Sequence, residues 1–123
     1  MMKGKYMNSL EKTKKIVKIL DNKLAEDIKA INIHDLTIIA DYFVIATGNS
    51  NTQVNTLVDE VEYKMGEFGV KPTRTEGEHS GWTILDYSDV VVHIFHRETR
   101  EFYNLDKLWS DGTNLDVEAI IKE

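Results

Sequence analysis

The chain has 123 residues, one proline, no cysteine and a net charge of −6. That length supports one domain with a single core, and the missing cysteine excludes a disulfide scaffold, a thiolate metal site and a cysteine nucleophile. The acidic balance argues against gripping nucleic-acid phosphates, which ordinarily takes a basic face, and suits steering toward a basic protein surface.

Residues 1–8 are expected to form a flexible N-terminus. The opening MMKGKYMNSLEKTKK is basic but lacks the apolar centre of a signal peptide and the arginines of a transit peptide. No apolar run approaches the roughly 18 residues that span a membrane, and the lack of cysteine fits a reducing cytosol. The first helix is placed over 9–25. Leu10, Val17, Leu20 and Leu24 recur at helical spacing, Ile16 and Ile19 widen the stripe, and Asn8 with Glu11 reads as a cap.

A strand near Asp27–Ile33 follows, then a turn at His34-Asp35. DYFVIATG, at 41–48, is β-branched, aromatic and almost wholly apolar, as a central strand covered on both faces would be. A second helix begins directly after it. Ser50 and Gln53 make an S-x-x-Q capping box, and Val54, Leu57, Val58, Val61, Met65 and Phe68 trace one face up to the stop at Gly69.

Pro72 and the polar run TRTEGEHSG read as a loop with room for one optional strand. GWTILDYSDVVVHIFHRE, at 81–98, reads as two strands turning at Tyr87-Ser88-Asp89. Alternation sets Val90, Val92 and Ile94 on one side and Val91, His93 and Phe95 on the other. Thr99 opens a short helix through REFYNLDKLW, with Phe102, Leu105 and Trp109 along one side. Residues 112–123 are expected to be a polar tail behind a domain spanning 9–111, with Leu115, Val117, Ile120 and Ile121 able to make one last turn. The order α-β-β-α-(β)-β-β-α describes a single-domain α/β fold with a mixed sheet flanked by helices.

Candidate chemistry is sparse. ATGNSNTQ resembles a phosphate cradle at a helix start, but it has one glycine and no Walker lysine, so a turn and cap is the simpler reading. His93 and His96 are three apart on a strand, hence on opposite faces, and lack a nearby carboxylate; they make a poor metal pair. No serine sits in a nucleophile elbow. No carboxylate pair follows Gly48, where metal-dependent nucleotidyl transfer would need one. No catalytic residue, cofactor or metal is therefore assigned. What remains is an excess of aromatics late in the chain, Trp82, Tyr87, Phe95, Tyr103 and Trp109; tryptophan and tyrosine are the residues of interface hot spots.

DYFVIATGNSNTQ at 41–53, Glu76-Gly77, GWTILDYSDVVVHIF at 81–95 and REFYNLDKLW at 100–109 together resemble the ribosomal silencing factor (Iojap-like) family, in the right order from about residue 10 to 111. The resemblance implies a nucleotidyltransferase-like sandwich without the catalytic acids. It also implies a bacterial cytoplasmic protein that docks on ribosomal protein fourteen of the large subunit. There it blocks joining of the small subunit and lowers translation when nutrients are short. Carried over by position, the partner-binding surface would use Trp82, Leu85, Asp86, His93, Phe95, Tyr103, Leu105 and Trp109. Asp41, Tyr42, Gly48, Ser50 and Gln53 match the family as structural positions, while Thr83 and Ile84 depart from the bulkier aliphatics expected there. A homodimer through the sheet face or the last helix is a further expected partner, since an exposed aromatic patch tends to find one. The rival reading is a nucleotide-binding or nucleotidyl-transferring enzyme on the same sheet.

Overall fold

The computed structural model describes residues 7–123. Its elements are α1 (Ser9–Asn22), β1 (Glu26–Asn32), β2 (Tyr42–Gly48), α2 (Asn51–Glu67), β3 (Arg74–Glu76), β4 (Trp82–Asp86), β5 (Val90–His96), α3 (Arg97–Tyr103), α4 (Leu105–Leu108), β6 (Thr113–Asn114) and α5 (Val117–Lys122). The strands form one sheet in the order β3-β4-β5-β2-β1-β6. Only β2 and β5 run parallel, with Tyr42 opposite Val90 and Gly48 opposite His96; every other pair is antiparallel. This is a single mixed α/β domain, as the order of elements in the sequence indicated.

β2 is the strand the rest is built around. Val44 and Ala46 point into a core shared with α1, α2 and α5, while Phe43 and Ile45 point into a second, smaller core on the opposite face. From Phe43 to Gly48 every residue is buried, which is why the strand reads as a continuous apolar run. Gly48 closes it because a Cβ there would lie 2.9 Å from Val54 Cγ2, so the chain can turn directly into α2.

The helix ends follow their local chemistry. At the start of α1 the Asn8 side chain accepts from the Glu11 N–H (2.8 Å), and Glu11 accepts from the Asn8 N–H (3.0 Å). α2 starts with half of the expected box. Ser50 Oγ accepts from the Gln53 N–H, but Gln53 Oε1 takes the N–H of Asn49 rather than that of Ser50. α2 ends at a left-handed Gly69 (φ 77°), with Val70 N–H bonded to Met65 C=O. α1 ends in the same pattern, three residues sooner than its apolar spacing predicts. Leu24 takes the left-handed position (φ 65°), Ala25 N–H bonds Leu20 C=O, and the Leu24 side chain is left exposed. Apolar spacing alone could not separate a last helical leucine from one just past the cap.

The polar run after Pro72 does hold the optional strand: β3 lies at the sheet edge, paired to β4. The 112–123 stretch is joined to the domain at two points. β6 pairs with β1, and α5, capped by Asp116, lies against α1 with Ile120 buried in the main core. Gly112 is needed at the approach, since a Cβ there would stand 2.5 Å from Ile31 Cγ2. Of the expected flexible N-terminus, 1–6 lie outside the described residues, while Asn8 is the α1 cap.

Ile120 tests whether α5 belongs to the core. Ile120→Ala should cost roughly 2–5 kcal/mol in urea unfolding, as for other buried large-to-small changes. A tail that merely hangs from the domain would lose nothing.

Candidate docking surface

Three helices cover one face of the sheet. The other face carries Ile31, Ile33, Phe43, Ile45, Val91 and Phe95, and among the described residues its helical cover comes from α3 and α4, which bury a single side chain there, Leu105. Trp82, Ile84 and Trp109 pack against its margin and remain partly exposed. Tyr103 is 54% exposed, and Phe102 and Leu108 more so. The sheet residues themselves are thus buried, and what reaches solvent on this side is the thin layer of rings and short-helix residues laid over them.

The rings form a continuous series. Trp82 stacks on Phe95 (centroids 4.9 Å apart) and meets Tyr103 at 4.8 Å; His93 lies 6.0 Å from Trp82 and 4.7 Å, edge on, from Phe43; Phe43 in turn meets Trp109 at 5.1 Å. Pair register explains the order. Trp82 sits opposite Phe95, and His93 lies between Ile84 on β4 and Ile45 on β2. Offset and edge-to-face pairs of this kind add attraction beyond area burial and limit ring motion.

His93 fixes the orientation of Trp82. The indole N–H donates to His93 Nδ1 at 3.2 Å. Nδ1 is therefore unprotonated, and the ring proton resides on Nε2. Nε2 is buried and has no hydrogen-bond partner among the described residues. Burial pushes the imidazole pKa from 6.5 down to about 4, partly opposed by the Asp86 carboxylate. At neutral pH His93 is an uncharged acceptor beneath a tryptophan, placed to orient a ring rather than to move a proton.

α3 is held mainly by polar bonds. It buries no side chain. Arg97 pairs with Glu26 and Asp27, and Arg100 donates from Nη1 to the Asp27 carbonyl (2.6 Å) and Thr47 Oγ1 (2.7 Å). The same guanidinium grips Asp106 of α4 through Nε (3.2 Å) and Nη2 (2.8 Å), and Lys29 Nζ reaches Asp106 at 3.1 Å. Burial works against ionising Asp106, yet the bonds from Arg100 and Lys29 prevail and draw its pKa down to about 2. These groups line a cleft of about 470 Å³ at the carboxyl end of β2, where each of the cations Lys29, Arg97 and Arg100 is matched by a carboxylate. Among the described residues no three histidine or acidic side chains gather as a metal site. His96 instead caps α3, with Nδ1 3.4 Å from the Glu98 N–H.

Of the eight side chains expected on the surface, Trp82, Tyr103 and Trp109 reach solvent at the outer face. His93, Phe95 and Leu105 are buried beneath them as support. Asp86 follows Trp82 and Ile84 in the β4 alternation but turns back to accept from the Ser88 N–H. Leu85 must be corrected. It is fully buried in the opposite core, because alternation from Trp82 sends Thr83 and Leu85 to the helix side. Tyr87 is likewise interior: it lies in the helix-side core, and burial raises its pKa. The helix expected from Thr99 is two pieces, broken at a left-handed Asn104, which turns Phe102 away from Leu105 into solvent. Two members were missed. Ile84 shares the Trp82 face, and Phe43 links His93 to Trp109; counting in twos from Trp82 and from Ile45 finds both.

The buried imidazole has a pH signature. Above pH 6.5 His93 is neutral folded or unfolded. As pH falls toward 4 the unfolded chain binds a proton that the native state refuses, so stability should drop by about 1.4 kcal/mol per pH unit and then level off. His93→Gln, which keeps an acceptor for the indole, should remove that slope. Urea unfolding of both proteins at pH 7, 6 and 5 measures it, and parallel profiles would refute a buried neutral His93.

The chain is similar over most of its length to proteins of one known family. A family model described as ribosomal silencing factor during starvation matches residues 6–123. The chain is 39% identical over 116 residues to the ribosomal silencing factor of Halalkalibacterium halodurans, covering 94% of this chain and 99% of that one. It is 33% identical over 97 residues to the chloroplastic Iojap protein of Zea mays, covering 76% of this chain and 41% of the larger plant protein. A crystal structure from Chromobacterium violaceum matches with a TM-score of 0.81 at 33% identity, over 85% of this chain and 88% of that one. With the match spanning both the sheet and the aromatic segment that follows it, the chain belongs to the ribosomal silencing factor family.

Proposed function

We propose that this protein represses translation by docking on ribosomal protein fourteen of the large ribosomal subunit, where its bulk excludes the small subunit. The observation that carries the reading is the aromatic layer on this side of the sheet, with Tyr103 exposed and Trp82 and Trp109 partly exposed over a buried support of His93, Phe95 and Phe43. Tryptophan and tyrosine anchors on a preordered base lose little conformational freedom on binding, which is the usual basis of a hot spot. A net charge of −6 favours approach to a basic ribosomal protein and disfavours direct contact with ribosomal RNA. Repression by occlusion needs affinity and position but no catalytic group. Assembly on ribosomes would place the protein in the bacterial cytoplasm, under nutrient limitation, and no helix among the described residues is long and apolar enough to cross a membrane. A homodimer using the same aromatic face would compete with the ribosome for it.

The rival enzyme reading would draw a nucleotide into the cleft beside Arg97 and Arg100. Both guanidiniums are already engaged by Glu26, Asp27 and Asp106, so a polyphosphate would have to displace carboxylates. Titration calorimetry with ATP or GTP and Mg²⁺ should give no binding heat; micromolar affinity would favour the enzyme.

For the docking face, Trp82→Ala combined with Tyr103→Ala should weaken co-sedimentation with purified large subunits by at least roughly 100-fold. Circular dichroism must show the double variant folded, and Tyr103→Ala alone provides a milder companion. A folded double variant that still co-sediments would remove these residues from the interface.

A further inference from the structure

We infer that Arg100 is a positioning residue for docking: it ties α3 and α4 to the start of β1 and so sets Tyr103 and Trp109 in the arrangement the partner meets. The inference rests on the docking reading above and adds to it the device that presents the rings.

Three observations converge on Arg100. α3 carries Tyr103 at its end but buries nothing, so apolar packing does not seat it. The Arg100 guanidinium, with its side chain 11% exposed, instead makes four bonds in two directions. One nitrogen, Nη1, reaches back to the Asp27 carbonyl and Thr47 Oγ1 on the sheet; Nε and Nη2 reach forward to both carboxylate oxygens of Asp106 on α4. A planar fork suits this double task, and a lysine, as a single point charge, does not. Asn104, in the left-handed conformation between α3 and α4, returns its N–H to the Arg100 carbonyl at 2.9 Å. One residue therefore holds the helix before the break, the helix after it and the strand below.

The strand is shaped to receive it. β1 slips register between Glu26 and Lys29, and Asp27 there adopts a left-handed φ of 49°, unfavourable for a residue with a Cβ. The bulge aims the Asp27 carbonyl at Arg100. Arg97, one turn earlier on α3, fastens the same bulge through Glu26 and Asp27. Backbone strain of this kind persists only where surrounding bonds over-determine it. On the far side, Tyr103 rests on Trp82 and Trp109 on Phe43, so displacing α3 and α4 would separate the exposed rings from their support.

Removing the fork should loosen α3, which keeps the Arg97 pairs, and α4, which keeps the Leu105 and Trp109 contacts, on an otherwise native sheet. Apparent affinity then falls with the fraction of molecules still holding the competent arrangement. Two quantities are measured on folded, full-length variants: affinity for purified large subunits, and amide hydrogen exchange resolved by segment. Arg100→Met should lose most protection at 100–109, keep protection in β2 and β5, and bind roughly 10-fold or more weakly. Arg100→Lys should fall between it and the wild type. Asp106→Asn, which keeps the shape of its partner, gives a milder loss in the same two readouts and serves if Arg100→Met does not fold. Loosened 100–109 amides with unchanged affinity would overturn the inference, as would unchanged protection at 100–109. The underlying docking reading fails separately, if folded Trp82→Ala/Tyr103→Ala binds as the wild type does.

Discussion

The parallel pairing of β2 with β5 determines which side chains of this protein meet its own helices and which meet something else. With Val44 opposite Val92 and Ala46 opposite Ile94, both strands give their aliphatic residues to the core beneath α1, α2 and α5. The alternate positions, Phe43, Ile45, His93 and Phe95, must then face the other way. A slip of β5 by one residue in this register would turn its two faces over. It would place a histidine among valines and isoleucines and leave the helices to pack on aromatic rings. Strong specification on the buried side thus dictates the composition of the open side.

The open side has the thinner helical cover. After β5 the described residues form two short helices, a two-residue strand and α5, and α5 serves the first core. Leu105 and Trp109 seat α4 on the sheet by apolar contact, whereas α3 relies on its two arginines. The face consequently has a rigid floor and a rim fixed largely by polar bonds. Hydrogen bonds from a guanidinium depend more sharply on geometry than apolar packing does. They fix where a ring sits without burying it, which is what an exposed anchor residue requires.

How far this was visible in the sequence depends on the kind of interaction. Continuous or alternating apolar patterns were plain, so β2, the β4–β5 hairpin, α2 and the two faces of β5 could be read directly. Leu85 was misplaced because the resemblance assigned it by position, although its own alternation from Trp82 sends it inward. The end of α1 and the break at Asn104 depend on residues entering the left-handed region without glycine, which composition does not flag. The last turn expected around Val117, Ile120 and Ile121 is α5, whereas β6 is too short to leave a periodic trace; both are stabilised by partners distant in sequence, α1 and β1. Arg100 was invisible for the same reason. A charged residue on a short helix reads as solvated until the bulge at Asp27, more than seventy positions earlier, is known to lie beneath it.

His93 shows why a polar residue is used at the centre of such a face. A phenylalanine there would extend the ring series but leave the Trp82 indole N–H without its acceptor, and an unpaired donor at a half-buried site carries a desolvation penalty. A charged histidine would be costlier still, and burial removes that state at neutral pH. The neutral imidazole satisfies the indole and packs edge-on to Phe43, so a single side chain serves both halves of the aromatic series. Its own Nε2–H remains unpaired within the described residues. The exchange makes physical sense if orientation of Trp82 matters more than the stability lost at Nε2, because Trp82 is the ring that both stacks on the buried floor and faces outward. Burial, tautomer and the position of Trp82 at the rim thus converge on one structural role, in which His93 holds the Trp82 ring in place from beneath.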